Sequence, residues 1–300
     1  MGLEPERILD RRRLKRHLNI WRVIAVLAIA AAVLAGVGRF GLFHAGAHVA
    51  LLQVRDIIFE DGDRLDAIEN LAKDSSVKAL VVSINSPGGT VVGGVSLFQA
   101  LKRLSEKKPV VAVIGDLGTS AAYMTAVGCN HVLANAGSIT GSIGVILQTT
   151  EVTGLLEKLG ISAEAIKSAP LKGQPNPLEH LTPEARAATQ ALVDDAFDLF
   201  MSIVAERRNM PMERVRELAD GRVYSGRQAV ANGLIDGIGG MREARDWLQE
   251  TRGISAALPL RAVAIRRPRS GLLDFIDDTV GKTLFSERLR LDGLISVWHP

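Results

Sequence analysis

A single cysteine among 300 residues, Cys129, leaves no intrachain disulfide to hold the fold together. A hydrophobic core must do that work, and a lone cysteine in an apolar stretch reads as part of it. Aromatic residues make up only 4% of the chain, so no basic stripe interleaved with aromatics is present. The formal net charge of +3 is also misleading as a sign of nucleic-acid binding. Residues 1–22 carry seven Lys/Arg and three Asp/Glu, a net +4, which leaves residues 23–300 at about −1. Nucleic acid is therefore excluded as the expected partner. Histidine is equally sparse: His17, His44, His48, His131, His180 and His299 are all there is, and none shows a metal-ligand spacing. No metal or other cofactor is expected, and a Ser-His-Asp triad is not compelling. His131 sits in a strand-like run and reads as a core residue.

The charge that is present sits at one end. Arg11-Arg12-Arg13-Leu14-Lys15-Arg16 precedes an uncharged stretch, Val23 to Gly38, with Trp21 before it and Arg39-Phe40-Gly41-Leu42-Phe43 after. As a helix this stretch rises about 24 Å, and snorkelling Arg22 and Arg39 extend it toward the hydrocarbon thickness of ~30 Å. The expectation is a basic segment over residues 1–22 and a single-pass anchor over 23–43. The N-terminus is then cytoplasmic and the rest periplasmic, because the basic cluster precedes the span. A cleaved signal peptide is the competing reading, since Ala45-Gly46-Ala47 fits a small-residue cleavage site.

Beyond the anchor, β-type and helical patterns alternate. Strands are predicted over Val49–Phe59, Lys78–Ile84, Pro109–Ile114 and His131–Ala134, and helices over Asp63–Lys73 and Val91–Ser105, with another opening near Ser120. That alternation implies an α/β fold with a parallel sheet and crossover helices. The second half reads as more helical. Thr182-Pro183 starts a helix to about Arg208, Pro211–Ala219 is another, Ser225 to Gln228 forms a capping box, and Met241–Thr251 is the last. One domain is expected over residues 46–255. In the segment 262–300, Leu272, Leu273, Phe275, Ile276 and Val280 share a helical face suited to a membrane surface, another subunit or the body itself.

Three glycine-rich turns, each closing an apolar run, are the candidate site: Ser86-Pro87-Gly88-Gly89, Gly118-Thr119-Ser120-Ala121-Ala122-Tyr123 and Gly141-Ser142-Ile143-Gly144-Val145. Glycine lets a backbone N–H approach a reacting oxygen, and loops at the carboxyl ends of parallel strands carry ligand sites. Ser120 is the favoured nucleophile, with Ser86 and Ser142 weaker candidates; a serine opening a helix is otherwise read as an N-cap. A serine hydroxyl needs a base. Lysine can serve when burial lowers its pKa from about 10.4 toward roughly 7–8. Lys172 and Lys167 are both candidates on composition alone.

These motifs, together with Gly221-Arg222-Val223-Tyr224-Ser225-Gly226-Arg227-Gln228-Ala229 and Asn232-Gly233-Leu234-Ile235-Asp236, resemble the signal peptide peptidase SppA (protease IV) family in its short, single-domain form. The resemblance covers residues 48–250. It implies a ClpP/crotonase-like fold and a Ser-Lys dyad with Ser120 as nucleophile and Lys172 as general base. Gly89, with Gly88 and Ala121, falls at the oxyanion and substrate-binding positions, and Ser142 supplies a hydroxyl to orient the lysine amine. One departure stands out: Ala121-Ala122 occupies the place of two glycines, which raises the question of a narrower groove. The implied activity is endopeptidase cleavage of hydrophobic segments such as released signal peptides, by a homo-oligomer at the lipid bilayer. A non-peptidase enzyme on the crotonase fold and a catalytically silent membrane scaffold are the alternatives.

Overall fold

A computed structural model describes residues 17–31, residues 46–265 and the backbone of residues 295–297. The chain divides into two units, Met1–Gly46 and Ala47–Pro300. In the first, residues 17–31 form a helix, α1, with exposed side chains throughout. Residues 32–43 of the expected anchor lie outside the described residues. Among those described, no helix is long and apolar enough to cross a membrane. Most of the expected C-terminal amphipathic segment, including Leu272 to Val280, also lies outside them.

The second unit is an α/β body. Its elements run β1 (His48–Ile58), α2 (Gly62–Lys73), β2 (Val77–Thr90), α3 (Val91–Ser105), β3 (Val110–Thr119), α4 (Ala121–Ala126), β4 (His131–Ala134) and β5 (Ile139–Gly141). There follow α5 (Thr153–Lys158), α6 (Pro183–Arg208), α7 (Met212–Leu218), β6 (Val223–Ser225), α8 (Gly226–Ala231), β7 (Gly237–Ile238), α9 (Met241–Arg252), β8 (Leu260–Ala262) and β9 (Ile295–Val297). All described strands join one sheet, in the path β6-β5-β3-β2-β1-β8 with β4, β7 and β9 alongside. Pairings among β1, β2, β3, β4, β5, β7 and β8 are parallel; β5–β6 and β2–β9 are antiparallel.

Helix ends follow the sequence signals. Asp61 and Thr90 cap α2 and α3 by accepting from the backbone N–H of Arg64 and Gly93, each at 3.0 Å. Thr182 caps α6 with Pro183 in its first turn, and Asn209 closes it at a left-handed φ of 50°. The Ser225–Gln228 capping box forms as expected.

Alternation along the strands builds a core on each face. Leu80, Val82 and Ile84 of β2 and Ala112 and Ile114 of β3 pack with Leu101 of α3, Tyr123 of α4 and Phe200 of α6. Ala79, Val81, Val111 and Val113 face the other way, against Ala244 and Leu248 of α9. Burying each large aliphatic side chain is worth about 1.5–3 kcal/mol, so a sheet covered on both sides needs no disulfide. Cys129 is buried in the first of these cores, as the sequence indicates.

Candidate active site

The two central strands run past their apolar cores into the glycine motifs. β2 pairs with β3 through Ile84↔Ile114, then shifts register to Ser86↔Gly118. On its other side β1 bulges between Arg55 and Ile57, and Asp56 at the bulge has a φ of 57°. Ser86 secures this level of the sheet: its fully buried hydroxyl donates to Asp56 O at 2.5 Å and accepts from the Gly88 N–H at 3.2 Å. Committed in this way, Ser86 is a latch for the turn and unsuited to nucleophilic attack. Beyond it, Gly89 lies so close to β1 that an added Cβ would sit 1.9 Å from Ile58 O. Only glycine permits that approach.

The three turns meet. Thr119 Oγ1 donates to Pro87 O at 3.0 Å, tying the Ser120 turn to the Gly88-Gly89 strand. Thr140 Oγ1 donates to Gly118 O at 2.7 Å, and the Ser120 N–H donates to Gly141 O at 2.8 Å. Ser142 follows directly, at a φ of 49°, with its N–H bound to Arg222 O at 2.9 Å.

Ser120 stands between the end of β3 and the start of α4 at φ 57° and ψ −121°. For a non-glycine residue this is a strained conformation of the kind that a sharp strand-to-helix turn imposes on a nucleophile. Its hydroxyl makes no capping bond to α4, so the N-cap reading does not account for it. Its main chain is fixed at both ends, by Gly141 O and by the Met124 N–H, which donates to Ser120 O at 2.9 Å.

Ala121 and Ala122 are both fully buried, and as members of α4 they need no glycine. The Ala121 methyl points toward Gly94 of α3, where a Cβ would lie only 2.9 Å away. The methyl that this chain adds after its serine is thus matched by a glycine on the facing helix. Neither alanine methyl protrudes into a groove. Tyr123 anchors the same helix: its hydroxyl donates to Leu234 O at 2.7 Å, and burial pushes its ionisation well above the usual range. Leu234 belongs to the downstream Asn232–Asp236 motif, whose Asp236 accepts from the Val132 N–H and pairs with Arg208 at 2.8 Å. That motif braces the serine helix from behind. Its companion does similar work on the third turn, since β6 pairs Tyr224↔Thr140 and Val223↔Gly141.

The lysines lie on the long, irregular segment between α5 and α6. The Lys167 ammonium is engaged by the Glu179 carboxylate. Lys172 is exposed, and its backbone N–H donates to Ala169 O at 3.1 Å. Ser120, by contrast, is only 1% exposed. His131 and His180 are engaged elsewhere. His131 stacks on Trp247 at 4.7 Å, and burial lowers its pKa despite Asp236 nearby. His180 bonds to Glu151 at 2.7 Å on the exposed loop.

A cleft of about 580 Å³ opens beside Ser142, floored by Ile143 and Val145 and walled by Val193 and Phe197 of α6 and by Ala219-Asp220-Gly221. Sequence reasoning did not identify it, because α6 is far from the turns in the chain. The signal was the cluster of apolar residues on the α6 face that includes Val193 and Phe197.

Comparison with known proteins settles the family. The profile of peptidase family S49 matches residues 102–255, just over half of the chain. The chain belongs to peptidase family S49. It is 44% identical over 182 residues to a candidate protease of Synechocystis, covering 61% of this chain and 66% of that protein. It is 34% identical over 194 residues to a candidate signal peptide peptidase SppA of Enterococcus faecium, covering 64% of this chain and 56% of that one. It is 31% identical over 235 residues to the chloroplastic serine protease SPPA of Arabidopsis thaliana, covering 77% of this chain and 34% of that one. The chain thus spans less than two thirds of the length of these relatives. The matched S49 region contains Ser120, Ser142 and Lys172, while Gly88 and Gly89 precede it.

Proposed function

We propose that this S49 chain is a membrane-anchored serine endopeptidase acting through Ser120 and Lys172. The observation that carries the proposal is the Ser120 turn. A serine without a capping bond is held in a strained conformation at the mouth of a parallel sheet, one residue from a threonine bound to the Gly88-Gly89 strand. In the reaction, the Ser120 oxygen attacks a peptide carbonyl while its proton passes to the neutral lysine amine. The Gly89 backbone N–H stabilises the oxyanion. The C–N bond then breaks, the amine leaves with the lysine proton, and water releases the acyl group from Ser120.

Lys172 reaches a serine by assembly. It is exposed on a segment that also exposes Ile166 fully and Ile161, Leu171 and Leu178 by about half, 46–52%. Such an apolar surface around a cation suits contact with a neighbouring copy, which would bury the lysine beside that copy's serine. A homo-oligomer with sites completed at its contacts follows from this reading. The cleft beside Ser142, which Ile143, Val145, Ile146, Val193 and Phe197 line together with Gln190, Asp194 and Asp220, supports hydrophobic peptide segments, released signal peptides among them, as substrates. In α1, Trp21, Val26 and Leu27 are 63–67% exposed, which supports a lipid environment for that unit. With the basic cluster preceding it, the catalytic body belongs on the periplasmic side.

The test is hydrolysis of a hydrophobic reporter peptide by Ser120→Ala, Lys172→Ala and the double variant. Each single change should abolish turnover without unfolding the protein, and the double should be scarcely worse. Retained activity in Lys172→Ala refutes the dyad.

A further inference from the structure

The cleft beside Ser142 continues away from the serine turn. A second cleft, of about 510 Å³, shares Val145, Ile146, Gln190 and Val193 with it, so the two form one groove between the segment after β5 and helix α6. Pro175, Leu181 and Arg186 form its far end. Along α6 the groove runs from Phe197 back to Arg186, about 16 Å at a rise of 1.5 Å per residue. An extended chain covers that distance with about five residues. The charges at the two ends differ in sign and in how they are used. Asp194 and Asp220 lie at the Ser142 end and both are engaged: Asp194 accepts from Gln190 Nε2 at 2.8 Å and Asp220 from Arg222 Nε at 2.6 Å. Arg186 is the sole cation lining the groove, is exposed, and has no side-chain hydrogen bond or ion pair among the described residues.

We propose that Arg186 is a specificity-determining residue that binds the free C-terminal carboxylate of an extended apolar peptide lying in this groove. Val145, Ile146, Leu147 and Val193 line the way to it, so the segment that fits there carries no charged side chain. The anion that meets the arginine is then the end of the peptide itself. A guanidinium suits that role because its planar fork of N–H groups matches the two oxygens of a carboxylate. The consequence for turnover rests on the peptidase reading: the groove holds the residues on the leaving-amine side of the scissile bond, and the cut falls about five residues from the C-terminus. A segment released by an earlier hydrolysis ends in such a carboxylate, whereas an apolar segment inside an intact chain does not. Arg186 thereby favours peptides that have already been set free. A bidentate pair of this kind at a partly exposed site changes affinity by about 5–10-fold.

The test uses the full chain and one fluorescent apolar decapeptide made as the free acid, as the C-terminal amide, and as an amide whose last residue is glutamate. Binding is read by anisotropy in a Ser120→Ala background, with Arg186 intact, as Arg186→Gln and as Arg186→Lys. Hydrolysis is read separately with Ser120 in place, as KM and as the position of the cut by mass spectrometry. With Arg186 intact, the free acid should bind about 5–10-fold more tightly than either amide. Arg186→Gln should erase that preference and Arg186→Lys should restore part of it. In the active protein the free acid should show the lower KM, and the cut should keep its distance from the C-terminus when residues are added at the N-terminus. Discrimination by a protein that hydrolyses none of the peptides would uphold the carboxylate site and refute the peptidase reading instead. Equal binding of acid and amide overturns the inference, as does a preference that survives Arg186→Gln or a glutamate amide that binds as well as the free acid. Failure to bind any of them, the result of a groove filled by a second copy of the chain, overturns it too.

Discussion

Gly94 and Ala121 face each other across the α3–α4 contact, and exchanging their single methyl group probes how the serine is held. Gly94→Ala alone should gain about 1 kcal/mol of helix propensity, glycine being that much worse than alanine in a helix interior. Its new Cβ, however, would lie 2.9 Å from the Ala121 methyl and 3.3 Å from Ala121 Cα, too close for both helices to keep their places. Overpacking of this kind costs about 1–3 kcal/mol, so the net change is a loss of roughly 0–2 kcal/mol. Ala121→Gly alone gives up about 1 kcal/mol of propensity and about 0.8 kcal/mol of methyl burial. Combined, the two changes place the methyl on the opposite helix, where the next contact is the adaptable Met124 Sδ at 3.2 Å. The coupling energy should therefore be favourable by about 1–3 kcal/mol, measured as midpoint shifts in urea at constant m. Activity should follow the same pattern. Pushing Ala121 moves Ser120, and a displacement of about 1 Å can cost as much as 100-fold in rate, so Gly94→Ala should be at least about tenfold slower and the double variant largely restored. Additive effects on stability, or a Gly94→Ala protein that is more stable and fully active, would refute this account of the Ala121-Ala122 departure.

Ser86→Ala removes a buried hydroxyl that bonds to both Asp56 O and the Gly88 N–H, leaving those groups unpaired; a loss of about 1–3 kcal/mol in urea melts is expected, with a fall in kcat as the Gly88-Gly89 strand loosens. The Glu243 carboxylate accepts from the Gly240 N–H at the start of α9, which lowers its pKa from 4.5 to about 2. A depressed carboxyl pKa stabilises the fold above the unfolded value, and that contribution is lost as pH falls from 4.5 toward about 2. Glu243→Gln should flatten this part of the stability profile; an identical acid limb in the variant would contradict the assignment.

Much of the scaffold was legible because long elements carry strong periodicity. Val91–Ser105, His131–Ala134 and the helix opening at Thr182-Pro183 fall where the sequence places them. β2 and β3 are longer than predicted, to Thr90 and Thr119, because the apolar run ends where the core ends while backbone pairing continues through the glycine motifs. β5, β6, β7 and β8 span two or three residues each, too few for any period to register, and α5 is a six-residue helix. At the site, convergence of the three turns follows from strand order and was foreseeable. The Ser86 latch was not, since a serine before proline looks like any turn residue until its partner thirty positions away is known. Nor was the matching of Gly94 to Ala121, which depends on how two helices cross. The exposure of Lys172 was equally hidden, because sequence spacing carries no information on whether a residue of an irregular loop is covered by the body.

The most direct test of the central claim is covalent labelling by a serine-directed acylating probe, followed by intact mass on the full chain. The account predicts one adduct per chain, located on Ser120, lost in Ser120→Ala and formed far more slowly in Lys172→Ala. An adduct that persists in Ser120→Ala, or that forms at an undiminished rate in Lys172→Ala, would contradict it.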